Sequence, residues 1–147
     1  MTILLLSRDM ADTSDFNGRI IEEFRANAGE VGGRFTGVPL LLLHHNGAKS
    51  GRERINPLAY RRDGDRLVIF GSKGGAPSHP DWYRNLVANP AAVVEVGTDT
   101  IPVVARVAGG EERERLWSDQ KRDLPGFADY ERKTDREIPV VVLEPTG

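Results

Sequence analysis

The residues best equipped for chemistry in this chain lie in two short, glycine-bearing stretches. The first, Asn46 to Pro57 (NGAKSGRERINP), gathers Lys49, Arg52, Arg54 and the Ser50 hydroxyl around Gly47 and Gly51. Cationic side chains, a hydroxyl and backbone amides open to close approach are what an anion site needs, above all a phosphate site. The second, Gly71 to Leu86 (GSKGGAPSHPDWYRNL), adds Ser72 and Lys73 and then runs into Trp82 and Tyr83. Here Lys73 suits a phosphate, a carboxylate or no ligand at all, and Trp82 suits either a packed core or the wall of a flat ring. Together the two stretches are read as one cofactor cradle.

Lys49-Ser50 is not a nucleotide-binding P-loop. Ala48 stands where a glycine must precede the lysine, Leu43 where the first glycine belongs, and a strand pattern follows where that motif requires a helix. If residues 52–56 are extended, Arg52, Arg54 and Asn56 share one face and Glu53 and Ile55 the other. His44 and His45, adjacent on a strand, point to opposite faces and do not share a metal, so no metal site is expected. With no cysteine in the chain, disulfides, thiolate metal sites and thiol nucleophiles are excluded, and redox chemistry must come from a bound cofactor. Glu111, Glu112 and Glu114 fall on a charge-laced helix and form a solvated face. Phe127 and Tyr130, three apart on a predicted helix, share a face; core packing suits Phe127, and the Tyr130 phenol is the better proton donor.

The elements that must position these groups follow from periodicity. Phe16, Ile20, Phe24 and Ala28 recur every fourth residue after Ser14, a candidate N-cap, and Gly29 stops the helix. Residues 1–13 show no period and are expected to be a mobile arm before a single domain over 14–147. Strands are predicted at Leu40 to His45, Arg52 to Arg62 with Pro57 as an edge or bulge marker, and Arg66 to Gly71. A helix over Asp81 to Ala88 follows Pro80; Val93 to Val96 and Ile101 to Val107 form a hairpin; charged helices occupy Glu111 to Lys121 and Phe127 to Lys133; Ile138 to Leu143 is a last buried strand. Short strands joined by tight turns, without crossover helices, predict an antiparallel barrel with helices outside it.

At 147 residues the chain is long enough to bury a full core. Its net charge of -2 offers nucleic acid no general attraction, yet residues 48–73 hold seven basic against three acidic side chains, a local +4. Such focused charge favours a small anion over a polyanion track. The apolar run Ile3 to Leu6 is too short for a signal or a span, which points to the cytosol with peripheral membrane contact left open.

Three segments, PLLLLHHNGAKSGRERINPLAY, DGDRLVIFGSKGGAPSHPDWYRNLVANPAAVVEVG and LPGFADYERKTDREIPVVVLEP, resemble the deazaflavin-dependent nitroreductase family of actinobacteria. That resemblance implies an α+β, mainly β fold: a split antiparallel β-barrel of the FMN-binding split-barrel type with flanking helices. It also implies reduced coenzyme F420, an 8-hydroxy-5-deazaflavin, as hydride donor to a small electron-poor acceptor such as a quinone, an enone or a nitroaromatic. By position, Lys49, Ser50, Gly51 and Arg54 resemble the family's phosphate segment, assisted by Arg52 and Lys73, with Pro57 among the cofactor contacts. Gly71, Ser72 and Lys73 resemble the segment at the ring edge, Trp82, Tyr83 and Asn85 the helix that covers it, and Phe127 and Tyr130 the aromatics facing cofactor and substrate. Ser72 and Tyr130 are the catalytic candidates. Ala48, where many members carry arginine, and Leu124 and Phe127, where some carry tyrosine, depart from the pattern. Two alternatives stand beside this reading, an oxidase of the same barrel type using FMN and a non-catalytic deazaflavin-binding or storage protein; monomer and homodimer are both compatible with it.

Overall fold

A computed structural model of the protein describes residues 8 to 146, with side chains from Phe16 onward except that of Arg34. Residues 1 to 7 of the expected arm lie outside the described residues, whereas 8 to 13 belong to helix α1, Arg8–Ala26. Ser14 is therefore an interior residue and not a cap, since nothing between Arg8 and Ser14 is a glycine or proline that would stop the helix earlier. Ala28 falls beyond the helix, whose end is closed by the Gly29 amide donating to the Phe24 carbonyl at 2.8 Å.

Six strands follow: β1 (Leu40–Asn46), β2 (Glu53–Asp63), β3 (Arg66–Phe70), β4 (Ala91–Val96), β5 (Asp99–Val107) and β6 (Val140–Pro145). They close into an antiparallel barrel in the order β1-β2-β3-β6-β5-β4. β2 pairs with β1 over residues 53–59 and with β3 over 60–63, so Pro57 occupies the part that lacks a second neighbour, where a missing amide costs nothing. The unbroken apolar runs reflect burial on both faces. Leu41, Leu43, Leu67, Ile69, Val141 and Leu143 fill the barrel. Leu40 and Leu42 point outward beneath Ile20 and Phe24 of α1. Val68, Phe70, Val140 and Val142 lie under Leu116 and Trp117 of α3 (Gly110–Asp123), with Phe127 and Tyr130 of α4 (Gly126–Arg132) packed alongside.

Alternating strand direction sorts the connections between the two ends of the barrel. The C-terminal ends of β1, β3 and β5 and the N-terminal ends of β2, β4 and β6 share one rim. That rim therefore carries the 46–53 connection, the 71–80 loop, the approach to α3 and the segment entering β6. Helix α2, Asp81–Ala88, lies at this mouth and sends Trp82 and Leu86, one turn apart, into the barrel core. The opposite rim has the tight turns at residues 63–66 and 96–99. Among the described residues no helix is long and apolar enough to cross a membrane.

Candidate functional site

The first loop is tied down by a buried polar chain that begins on β1. His45, 2% exposed, faces the β2 side chain of Asn56, whose Oδ1 accepts from His45 Nε2 at 2.7 Å. Asn85 of α2 donates from Nδ2 to His45 Nδ1 at 3.0 Å, and its Oδ1 accepts the Ala48 amide at 2.9 Å. These partners require the neutral imidazole protonated on Nε2, and burial pushes the His45 pKa below its ordinary value. His44 points to the other face, with Nε2 2.6 Å from Glu95, which also receives Arg25 of α1.

Within the loop the Gly47 amide donates to the Arg52 carbonyl and the Gly51 amide to the Gly47 carbonyl, both at 2.9 Å, and the Arg52 amide to Ser50 Oγ at 3.1 Å. The glycines thus shape the turn, Gly51 through its φ of +72°, and do not offer their own amides to a ligand. Among the described residues, the amides of Lys49 and Ser50, the Lys49 ammonium and the Arg52 guanidinium have no partner. Arg54 stands on the face opposite Ile55 and reaches Asp81 of α2 at 3.9 Å. Not all of the positive stretch converges here. Arg61 is held by Gln120 and Asp123 of α3, and Arg66 lies near Asp63 and Glu144, toward the far rim.

The second loop is built around a residue whose role the sequence pattern does not reveal. Arg136 donates from Nε to the Ala76 carbonyl (2.9 Å), from Nη1 to the Gly71 carbonyl and His79 Nδ1 (both 3.0 Å), and from Nη2 to the Ser72 carbonyl (2.9 Å). One guanidinium fork thereby fixes both ends of the 71–79 loop. Burial, with the charges of Arg136 and Arg84, lowers the His79 pKa and keeps its Nδ1 free to accept. Gly75 has φ +85°, and a Cβ there would stand 2.8 Å from Lys133 Cβ and 2.9 Å from the Tyr130 carbonyl; only glycine lets α4 approach this loop.

The structure brings most of the expected residues to one rim. Lys49, Ser50, Gly51, Arg52 and Arg54 meet α2 through Asn85 and Asp81, and α2 in turn follows directly from the loop carrying Gly71, Ser72 and Lys73. Ser72 is buried, and Lys73 Nζ lies 3.4 Å from Ser78 Oγ. Tyr83 sets its ring 4.8 Å from His79. Tyr130 stands against Phe127 at 5.3 Å, and Phe127 packs on Phe70 and Trp117, so the aromatic pair borders the second loop from α4. Trp82 is only 5% exposed and contributes to the barrel core; Pro57 sits within β2, half-buried, in register with Leu42.

The profile of the F420H(2)-dependent quinone reductase family matches residues 19–145. An F420H(2)-dependent quinone reductase of Mycobacterium tuberculosis is 40% identical over 124 residues, covering 82% of this chain and 83% of that protein. The solved structure of an F420-H2 dependent reductase is 42% identical and covers 72% of this chain and 94% of its own, with a TM-score of 0.67. A second solved structure, described as a domain-swapped dimer, is 36% identical over 92% of this chain and 99% of its own, with a TM-score of 0.68. With profile, sequence and shape in agreement over most of its length, the chain belongs to the F420H(2)-dependent quinone reductase family.

Proposed function

We propose that this protein is an oxidoreductase that binds reduced coenzyme F420 across the α2 rim and reduces quinones. When bound, the reduced deazaflavin supplies a hydride to an electron-poor acceptor. The observation that carries the reading is the donor set of the first loop: unpartnered amides at Lys49 and Ser50 beside two unpartnered cations, on a loop locked from beneath by His45 and Asn85. That set fits a phosphate. Lys49, Ser50 and Arg52 hold it, with Arg54 steering from β2. Gly71, Ser72 and Lys73 border the ring edge, with Tyr83 and the Phe127–Tyr130 pair as the surrounding aromatic surface. Trp82 works from below, anchoring α2 in the barrel, and Asn85 works as the strut of the phosphate loop.

The Tyr130 phenol and the Ser72 hydroxyl are the groups that donate toward the acceptor oxygen as negative charge develops there. Enones and nitroaromatics share the electron demand of quinones and extend the acceptor range. The enzyme works in the cytoplasm on small molecules.

The test is a titration with the oxidised deazaflavin and, separately, with FMN, followed by ligand fluorescence, then anaerobic turnover of the reduced cofactor with a naphthoquinone. Arg54→Ala is expected to weaken deazaflavin binding by about 1.5–3 kcal/mol, one to two powers of ten in Kd. Binding of neither ligand sinks the proposal, and binding of FMN alone replaces it with the oxidase reading.

A further inference from the structure

The hydrogen-bonded series Ala48, Asn85, His45, Asn56 has its proton positions dictated from one end. The Ala48 amide can only donate, so the Asn85 oxygen must face it (2.9 Å) and Asn85 Nδ2 must face His45 Nδ1 (3.0 Å). Nδ1 must then accept, which leaves the single ring proton on Nε2, 2.7 Å from Asn56 Oδ1. A second proton has no place here. On Nδ1 it would confront the Asn85 Nδ2, and turning that amide over would satisfy the ring but present Nδ2 to the Ala48 N–H, donor against donor. Asn85 serves the imidazolium or the Ala48 amide, never both. With His45 2% and Asn85 7% exposed, water does not stand in for the lost partner. The Asn56 bond is indifferent to the change.

What hangs on the Ala48 bond is the first loop. Among the described residues it is the one hydrogen bond that ties residues 47–51 to anything outside the β1–β2 hairpin, since the Gly47 and Gly51 amides shape the turn from within. The amides of Lys49 and Ser50 follow directly. We propose that His45 is a positioning residue for this loop: its neutral ring holds Asn85 in the orientation that locks the loop, and its protonation turns Asn85 and releases it. Cofactor binding and His45 protonation then oppose each other, each weakening the other by the same factor. The proposal rests on the reading that the cofactor phosphate sits at the first loop. Burial favours the neutral ring, and so do the charges of Arg54 on β2 and His44 on β1, whereas the Asn56 acceptor and Asp81 of α2 pull the other way. Among the described residues, none of those three charged or titratable side chains hydrogen-bonds the ring.

Two measurements test it. In ligand-free, isotope-labelled protein, the His45 ring nitrogens and the backbone amides of residues 47–51 are followed by NMR from pH 7.5 downward. The ring is expected to carry its proton on Nε2 at pH 7.5, and the Ala48 amide to move upfield with the same midpoint as the ring while buried barrel amides such as those of Val68 and Leu143 stay in place. An Ala48 amide unmoved at the His45 midpoint, or unmoved down to the pH at which the barrel unfolds, overturns the proposal. In the second measurement, the Kd for the oxidised deazaflavin is read between pH 7.5 and 5.0 in the parent and in His45→Gln. The glutamine accepts from Asn85 through Oε1 and donates to Asn56 through Nε2 without titrating, and any ionisation of the ligand is common to both proteins. The rise in Kd on acidification is expected to be larger in the parent by the reciprocal of the neutral His45 fraction, about twofold with half the rings protonated and about tenfold with nine-tenths. An equal rise in both proteins, or a smaller one in the parent, overturns the latch. Deazaflavin binding to neither protein at any pH sinks the cofactor reading instead, and the Ala48 amide alone then decides the latch.

Discussion

Arg136→Ala puts the second loop to a quantitative test. The guanidinium makes four hydrogen bonds, to the carbonyls of Gly71, Ser72 and Ala76 and to His79. With a charged donor each is worth about 1.5–3 kcal/mol in favourable cases, which would sum to roughly 6–12 kcal/mol if all were independent and dry. They are neither: Arg136 is only half-buried, so water replaces much of the lost donation at the carbonyls, and the four act as a unit. Burial also disfavours the charged form of Arg136, a cost that the variant recovers. A net loss of about 2–4 kcal/mol follows, which for a chain of this size lowers Tm by roughly 5–15 °C. Arg136→Lys should regain less than half, since an ammonium cannot reproduce the fork. Thermal and urea unfolding give the total, and amide exchange locates it. Gly75 and Ala76, whose amides close the turn on the Ser72 and Lys73 carbonyls, should lose protection well beyond the loss at β3 and β6. An Arg136→Ala protein melting within 2 °C of the parent by the same scale, with Gly75 and Ala76 as protected as before, would refute the organising role.

Gly75→Val should be more damaging to the loop than to the barrel: left-handed backbone and the approach of Lys133 and Tyr130 together cost about 2–4 kcal/mol, measurable by urea unfolding and accompanied by weaker cofactor binding. Asn85→Leu leaves His45 Nδ1 unpaired in a buried place and removes the acceptor of the amide of exposed Ala48, for about 1–3 kcal/mol, and should raise the Kd for the deazaflavin even at temperatures where the protein is fully folded. Stability should fall as pH drops below about 6.5, the ordinary imidazole value, because His45 and His79 have folded-state pKa values below it. In that window the unfolded chain takes up protons that the folded one refuses, and stability rises with pH. The loss is complete once pH passes below the folded values, and the carboxylates held low by arginines, Glu95 and Glu112 among them, add theirs only in more acid solution. Urea unfolding at pH 7.5 and 5.5 should show the difference, and His79→Gln should shrink it.

The barrel was legible because its signals are local. Leu40 to Leu43, Arg66 to Phe70 and Val140 to Leu143 declare buried strands by composition, and Pro80 marks the entry to α2. The first loop was legible for the same reason, with its cations and glycines within a dozen residues. Arg136 was not: in TDREIP it reads as one more charged connector, and its partners are 57 to 65 positions away along the chain. Helical phase fixes which face of α2 holds Trp82, but only barrel closure decides that this face is the interior. The same closure sends Arg61 and Arg66 away from the cradle, although by sequence they belong to the same basic stretch.

The sorting of connections between the two rims has a practical side. Everything proposed to touch a ligand crowds one end, whereas the other end has the hairpin turns Asp63-Gly64-Asp65-Arg66 and Val96-Gly97-Thr98-Asp99. A cysteine introduced at exposed Asp65 or Thr98 would be the chain's sole thiol. It would give one attachment chemistry at one place, and a protein tethered there to an electrode or resin would face the solution with its catalytic end.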